Sequence, residues 1–216
     1  MILSRGRNLL FIHIPKTGGT SLALALEARA MKDDILVGDT PKAVKRRKRQ
    51  KELKTAGRLW KHSTLADLDG LVTGPELDRL FVTTLVRNPW DRAVSYYHWL
   101  QAQRFDHPAV RLAAALSFSD FLNHPQTRAA LLGTPYAHYV TDARGRETCS
   151  KFMRLEHLDE DLPALEDHLG FSLRPLPRAN PSSRRGDYRS YYSDADAALV
   201  AKLCAEDITR FGYRFT

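Results

Sequence analysis

The residues best equipped for chemistry lie in one short stretch, Phe11-Ile12-His13-Ile14-Pro15-Lys16-Thr17-Gly18-Gly19-Thr20-Ser21. Backbone amides around Gly18 and Gly19, the positive end of the helix that follows, the Thr17, Thr20 and Ser21 hydroxyls and the Lys16 ammonium converge on one anion-sized volume. That volume suits a phosphate or a similar oxyanion. A tight turn needing glycine for its geometry alone would leave Lys16 and the hydroxyls without a use. A second stretch carries an arginine and a serine of the same kind: Arg87 stands at the end of an apolar run, and Ser95 lies two helical turns further on. Arg87 offers a planar fork to a terminal phosphate and Ser95 adds a hydroxyl donor. The competing use of Arg87 is an ion pair with Asp91, and that of Ser95 is an ordinary helix-interior hydroxyl.

A Walker A loop is the obvious comparison for the first stretch. Aligning its final Gly-Lys-Ser/Thr puts Gly19, Thr20 and Ser21 there, and Ile14 falls where the first glycine belongs. The lysine stands instead at the front of the loop, which disfavours ATP or GTP hydrolysis with loop-bound Mg²⁺.

Both stretches need strands to present them. Leu9-Leu10-Phe11-Ile12-His13-Ile14 is a nearly continuous apolar run that stops at Pro15, as for a strand buried on both faces of a parallel sheet. Thr20 to Met31 reads as a helix rich in Ala and Leu. Leu80 to Val86 repeats the pattern as a β-branched run, with Pro89 as first residue of a helix striped by Trp90, Val94 and Tyr97. Two such strand-to-helix turns predict an α/β protein with its ligand at the carboxyl ends of the strands. A further strand is expected at Lys151 to Leu155 and a short one at Leu59-Trp60. Helices are expected at His107 to Leu116, Phe118 to Asn123, Leu158 to Leu169 and Asp194 to Phe211. In the last of these, Val200, Leu203, Cys204, Ile208 and Phe211 form a core stripe. Residues 175–192 read as a loop.

The 216 residues, 43% hydrophobic and 27% charged, describe one domain, residues 1–216, with a sizeable core. No apolar run reaches the roughly 20 residues of a membrane span, and the first residues lack a signal-peptide pattern, so the expected compartment is the cytosol. Cys149 and Cys204 have neither a CxxC partner nor a nearby His pair; they read as reduced, half-buried side chains, and no metal site is expected. The net charge of +8 is concentrated in one place, since Lys42 to Lys54 holds eight bases and one acid. Bracketed by Thr40 as cap, Pro41 as first residue and Gly57 as stop, that segment reads as a surface helix with almost no apolar stripe. A uniformly basic surface for nucleic acid is therefore not expected.

With these residues in view, Ile14-Pro15-Lys16-Thr17-Gly18-Gly19-Thr20-Ser21 closely resembles the 5′-phosphosulfate loop of sulfotransferases that use 3′-phosphoadenosine 5′-phosphosulfate (PAPS). Val86-Arg87-Asn88-Pro89-Trp90-Asp91-Arg92-Ala93-Val94-Ser95-Tyr96-Tyr97 resembles that family's 3′-phosphate segment. Phe152 to Leu158 and a tail from Tyr188 to Tyr213 extend the resemblance over most of the chain. It is nearest the carbohydrate-type group that includes heparan sulfate 2-O-sulfotransferase and bacterial relatives. The resemblance implies a P-loop-type three-layer α/β/α sandwich with a central, mostly parallel sheet. It implies that Lys16, Thr17, Gly18, Gly19, Thr20, Ser21, Arg87 and Ser95 bind the donor, joined by Ser183, Arg184 and Gly186 from a Ser-Arg-Arg-Gly run that looks like the segment closing over the nucleotide.

Sulfuryl transfer has a loose, in-line transition state, so the protein mainly positions reactants and neutralises charge, with no metal required in principle. Lys16 is expected to be catalytic, stabilising charge on the leaving oxygen as 3′,5′-bisphosphoadenosine departs. The acceptor hydroxyl also needs a base, and imidazole has a suitable pKa. His62 is the first choice among eight histidines, because a histidine in the corresponding region acts as base in the heparan sulfate enzymes; His98 and a glutamate are alternatives, and His13 reads as structural. Arg154-Leu155-Glu156 reads as a buried ion-pair or hydrogen-bond element under the sheet. The expected acceptor is a carbohydrate, a glycolipid or a small hydroxylated molecule. The rival readings are a small-molecule kinase on the same scaffold and a noncatalytic polyanion-binding module built on Lys42 to Lys54.

Overall fold

The computed structural model describes residues 1–179 and 186–216. Its strands are β1 (Ile2–Ser4), β2 (Leu9–Ile12), β3 (Ile35–Leu36), β4 (Phe81–Val86) and β5 (Lys151–Arg154). The helices are α1 (Gly19–Ala28), α2 (Pro41–Arg46), α3 (Gly74–Leu77), α4 (Pro89–Gln101), α5 (Pro108–Ala115), α6 (Phe118–Asn123), α7 (Pro125–Gly133), α8 (Tyr136–Tyr139), α9 (Leu158–Asp161), α10 (Pro163–Leu169), α11 (Asp194–Leu203) and α12 (Ala205–Phe211). The chain forms two compact units, Met1–Val86 with Tyr136–Asn180, and Arg87–Pro135 with Pro181–Thr216.

The first unit holds the sheet, in the order β3-β1-β2-β4-β5. β2, β4 and β5 run parallel, with Leu9 opposite Phe81 and Thr83 opposite Lys151, so the expected mostly parallel α/β sheet is present. β1 and β3 were not announced by the apolar pattern; β1 runs antiparallel to both of its neighbours, β2 and β3. The reason is local: β1 and β2 are joined by a short turn that closes at Asn8 in the left-handed conformation (φ 48°), and so short a link reverses the chain. Every residue of β2 is buried, and all of β4 except Phe81. Thr84 on β4 satisfies its hydroxyl by donating to the Ile12 carbonyl at 2.7 Å, and Thr83 donates to that of Lys151 at 2.8 Å. Leu22 and Leu26 of α1 join Leu9, Phe11, Leu85 and Met153 in the core, which explains why α1 lies along the sheet.

Several expectations shift in detail. Leu59-Trp60 is not a strand, because Trp60 donates its N–H to the Ser63 hydroxyl (2.9 Å) and its carbonyl accepts from the Ser63 N–H (3.1 Å), which makes a turn. The basic helix ends at Arg46, continues as a 3₁₀ turn over Arg47–Gln50, and does not reach Gly57. Beyond it Ala56 and Gly57 are drawn to the carbonyls of Asp69 and Asp67 (2.8 and 3.0 Å). The helix expected from Leu158 to Leu169 is divided at Leu162, ahead of Pro163, and that from Asp194 to Phe211 at Cys204. Of the expected stripe in that last region, Val200 is fully buried while Leu203, Cys204, Ile208 and Phe211 are only partly so. Among the described residues Cys149 and Cys204 form no disulfide, and both are half-buried.

The second unit gathers around α4. Asn88 caps it, accepting from the N–H groups of Trp90 (3.1 Å) and Asp91 (3.4 Å), and Pro89 supplies a first residue that needs no acceptor. The Trp90 indole donates to the Ala197 carbonyl at 2.9 Å, and the Tyr97 ring packs against Phe118 and Phe121. Among the described residues no helix is long and apolar enough to cross a membrane.

The Arg154-Leu155-Glu156 element differs from expectation, since Glu156 is exposed and the buried acid is Asp161. Asp161 accepts from Lys151 Nζ (2.8 Å), the Arg154 backbone N–H (2.8 Å) and Arg154 Nε (2.8 Å), tying both ends of β5 to α9. Burial alone would push its carboxyl pKa up, but the bonds from Arg154 and Lys151 outweigh it and hold the group well below the ordinary carboxylate range. Its stabilising contribution is therefore complete above the unfolded value near 4 and fades as pH falls below it. Asp161→Ala is expected to cost about 3 kcal/mol at neutral pH, because Lys151 and Arg154 lose the buried carboxylate they share. In a thermal melt Tm should fall by roughly 9 °C, with a smaller difference from wild type at pH 3.

Candidate active site

The loop between β2 and α1 has the backbone of an anion nest. Lys16 adopts a left-handed conformation (φ 67°), as does Gly18 (φ 84°), and the reversals of hand turn successive N–H groups inward. The Thr17 hydroxyl donates to the Ile14 carbonyl at 2.9 Å and is fully buried, so it closes the loop from within. Gly18 is the N-cap of α1 and has no side chain to cap it. The N–H groups of Gly18, Gly19 and Thr20 meet no acceptor among the described residues. An uncapped start to a ten-residue helix is a site for negative charge. The Thr20 hydroxyl is likewise unclaimed among the described residues, and that of Ser21 accepts a long bond from the Ala179 N–H (3.4 Å).

Both glycines are required by close neighbours. A Cβ on Gly18 would come within 2.8 Å of Leu155 Cδ1, and one on Gly19 within 2.7 Å of His13 Nε2. The His13 ring thus occupies the space a side chain at Gly19 would need. The same residue holds His62, whose Nδ1 lies 2.6 Å from the His13 carbonyl oxygen. A carbonyl only accepts, so Nδ1 carries the proton and Nε2 keeps its lone pair. Nε2 has no hydrogen-bond partner among the described residues. The His62 ring stands edge-on to those of His13 (4.9 Å) and Trp60 (5.0 Å), which fixes its orientation.

Burial pushes the pKa of His62 down to about 4, an effect that the bond to the His13 carbonyl opposes and Lys61 reinforces. His13 is also held well below the usual imidazole value, by burial first and then by positive neighbours that include Lys61 and Lys16. Both rings are neutral at pH 7. Lys61, next to His62, donates to Asp39 at 2.6 Å.

Lys16, Thr17, Gly18, Gly19, Thr20, Ser21 and His62 therefore belong to one unit, with His13 joining the loop to His62. Arg87 and Ser95 belong to the other. There Arg87 meets Asp91, its Nε at 2.8 Å and its Nη2 at 2.5 Å from Oδ2, so the ion-pair alternative is realised in this structure. Arg87, Asp91 and Ser95 recur at four-residue spacing on one side of the chain, and the Ser95 hydroxyl is unclaimed among the described residues. Asn88 adds to this corner by donating to the Arg214 carbonyl at 3.1 Å and to the Tyr188 hydroxyl at 3.4 Å. Gly186 is exposed, and a Cβ on it would touch nothing among the described residues; Ser183 and Arg184 lie outside them.

A sequence profile described as the sulfotransferase family matches residues 1–214. The chain belongs to the sulfotransferase family. Membership makes it an enzyme that uses PAPS, as the resemblance implied. Among solved structures, one of mouse sulfotransferase SULT7A1 complexed with PAP is similar at 15% identity and a TM-score of 0.48, covering 93% of this chain and 83% of that one. No curated protein matches the sequence closely enough to count as a relative. The residues of this sulfotransferase fit an anionic donor, because unclaimed N–H groups at a helix start and an arginine fork are what phosphate-type oxygens require.

What sequence reasoning missed is the double duty of His13. The apolar run placed it inside the first strand, which ends at Ile12, and neither the contact to Gly19 nor the carbonyl bond to the distant His62 could be read from that position. Gly19→Ala isolates this contact: alanine favours helix over glycine, so loss of function would come from displacement of His13. Calorimetry is expected to show 3′,5′-bisphosphoadenosine affinity reduced roughly tenfold, the size of a mild overpacking strain. An unchanged affinity would separate the His13 ring from the loop's function.

Proposed function

We propose that this sulfotransferase moves a sulfuryl group to a hydroxyl on a carbohydrate or glycolipid, with Lys16 and His62 as its catalytic residues. When bound, PAPS supplies an activated sulfuryl group on its 5′-phosphate. In this reading the N–H groups of Gly18, Gly19 and Thr20, with Lys16, hold the 5′ end. Arg87 and Ser95 take the 3′-phosphate, and Asp91 fixes the plane of the Arg87 fork. Lys16 neutralises charge that grows on the leaving oxygen, and His62 Nε2 receives the proton of the acceptor hydroxyl.

The observation that carries the reading is the His13 hinge, which offers a carbonyl to His62 Nδ1 at 2.6 Å and sets its ring where Gly19 lacks a side chain. A histidine locked in one tautomer beside an anion loop is arranged to accept a proton at a fixed place. A pKa of about 4 leaves that nitrogen unprotonated throughout the neutral range, and negative charge brought to the loop raises it toward the useful region.

Calorimetric titration with 3′,5′-bisphosphoadenosine, using ATP plus Mg²⁺ and AMP as competitors, tests the donor site. Tight, metal-independent binding that weakens in Arg87→Ala is the expected result. Preference for ATP plus Mg²⁺ would return the kinase reading. Lys16→Ala should lose about a hundredfold in turnover, the size of one lost oxyanion contact, while its melting curve stays near that of wild type.

The pH dependence tests His62. Its folded pKa is depressed, so protonation destabilises both the fold and the base form, and the associated stability fades as pH falls from the unfolded value near 6.5 toward 4. The acid limb of kcat/KM for the free enzyme is accordingly expected well below pH 6.5, leaving activity level between about pH 6 and 8. His62→Ala should cost on the order of a hundredfold and abolish that limb; near-normal turnover would remove His62 from the mechanism.

A further inference from the structure

The segment from Lys42 to Lys54 is not a loosely solvated helix. Lys42 donates to the Glu27 carbonyl, Arg46 Nη1 to those of Met31 (2.8 Å) and Asp34 (3.0 Å), Arg49 Nη1 to that of Lys32 (2.8 Å), and Gln50 to that of Leu36 (2.5 Å). These acceptors are backbone oxygens without formal charge. The tethers therefore fix the segment against α1 and β3 without themselves neutralising any of its +7. The ion pair the segment makes among the described residues is a long one, Arg47 to Asp39 at 3.9 Å, and Asp39 is already held by Lys61. Lys45, Lys48, Lys51 and Lys54 are exposed and meet no partner among the described residues.

Apolar side chains stand among these cations. Val44, on α2, is 47% exposed, and Met31, whose carbonyl Arg46 holds, is 44% exposed. Trp60 is also exposed, with the Arg58 guanidinium over its ring at 5.1 Å, and its neighbour Lys61 shares Asp39 with Arg47. A soluble polyanion would use the lysines and gain nothing from an exposed valine and methionine. A bilayer surface uses both, since lipid headgroups attract the cations and the acyl boundary takes the apolar tips.

We propose that the Lys42 to Lys54 face, with Met31 and Val44, docks on an anionic lipid bilayer. The docking is peripheral and reversible: it depends on lysines at roughly fivefold in affinity apiece, and is screened by salt. It is independent of the acceptor and of the roles given to Lys16 and His62.

The test is co-sedimentation of the full chain with phosphatidylcholine vesicles, with and without about 30% phosphatidylserine, between about 50 and 300 mM salt. Binding to the anionic vesicles alone, weakening as salt rises, is the expected result. A Lys45→Gln, Lys48→Gln, Lys51→Gln variant should lose roughly a hundredfold in partition. A Met31→Gln, Val44→Ser variant should lose severalfold while keeping every charge. Thermal melting of each variant checks its fold, and the salt titration of the unaltered chain reads the same charge dependence if the triple variant melts early. Failure to sediment with anionic vesicles overturns the proposal. So does retention of full vesicle affinity by the Met31→Gln, Val44→Ser variant alongside salt-sensitive heparin binding, which would make the face a general polyanion site.

Discussion

A helix that begins without a capping side chain has N–H groups to satisfy, and at the start of α1 those of Gly18, Gly19 and Thr20 find no acceptor within the described residues. Such a terminus is stable in water and far better beside an anion. Much of the first unit follows from maintaining it. Lys16 and Gly18 take left-handed backbone to turn the amides, the Thr17 hydroxyl locks the turn from below, and β2 is buried on both faces so that the loop starts from a rigid edge. Gly19 must be glycine because His13 fills its place, and His13 in turn fixes the tautomer of His62. Loop, glycine and candidate base form one chain of contacts.

The second unit presents Arg87 in a different way. Its fork is held by Asp91 one turn along α4, and α4 itself is held by Asn88 at its start and by the Trp90 indole on the Ala197 carbonyl. Buried acids do similar work elsewhere: Asp161 gathers Lys151 and Arg154, and Asp196 accepts from Ser193, Ser119 and Asn123. In each case a carboxylate kept charged by its donors outweighs its own desolvation, so folding is coupled to neutral pH. The neutral histidines act in the same sense, because protonating a buried imidazole opposes folding.

The basic segment uses its arginines unusually. Charge in proteins is commonly met by opposite charge, whereas here Arg46 and Arg49 spend hydrogen bonds on carbonyls. The backbone is anchored and the field survives. That arrangement makes sense for a surface whose counter-charge arrives from outside the chain.

The sequence determined by itself what depends on neighbours in the chain. The apolar runs of β2 and β4, the glycine pair after the first, Pro89 behind Asn88, and the motifs around Lys16 and Arg87 were sufficient for an α/β sulfotransferase with a mostly parallel sheet. The short strands β1 and β3 were missed because three and two residues carry too little periodicity to register. The Leu59-Trp60 strand was misread because the Ser63 hydroxyl competes for the backbone that a ladder would need. Only the tertiary structure decided that Asp161 and not Glu156 is the buried acid, that Arg87 is paired with Asp91, and that His13 links Gly19 to His62. Hydrogen bonds and steric exclusion act over a few ångströms in space, and the sequence separation of 49 between His13 and His62 leaves no trace of that distance in the order of residues.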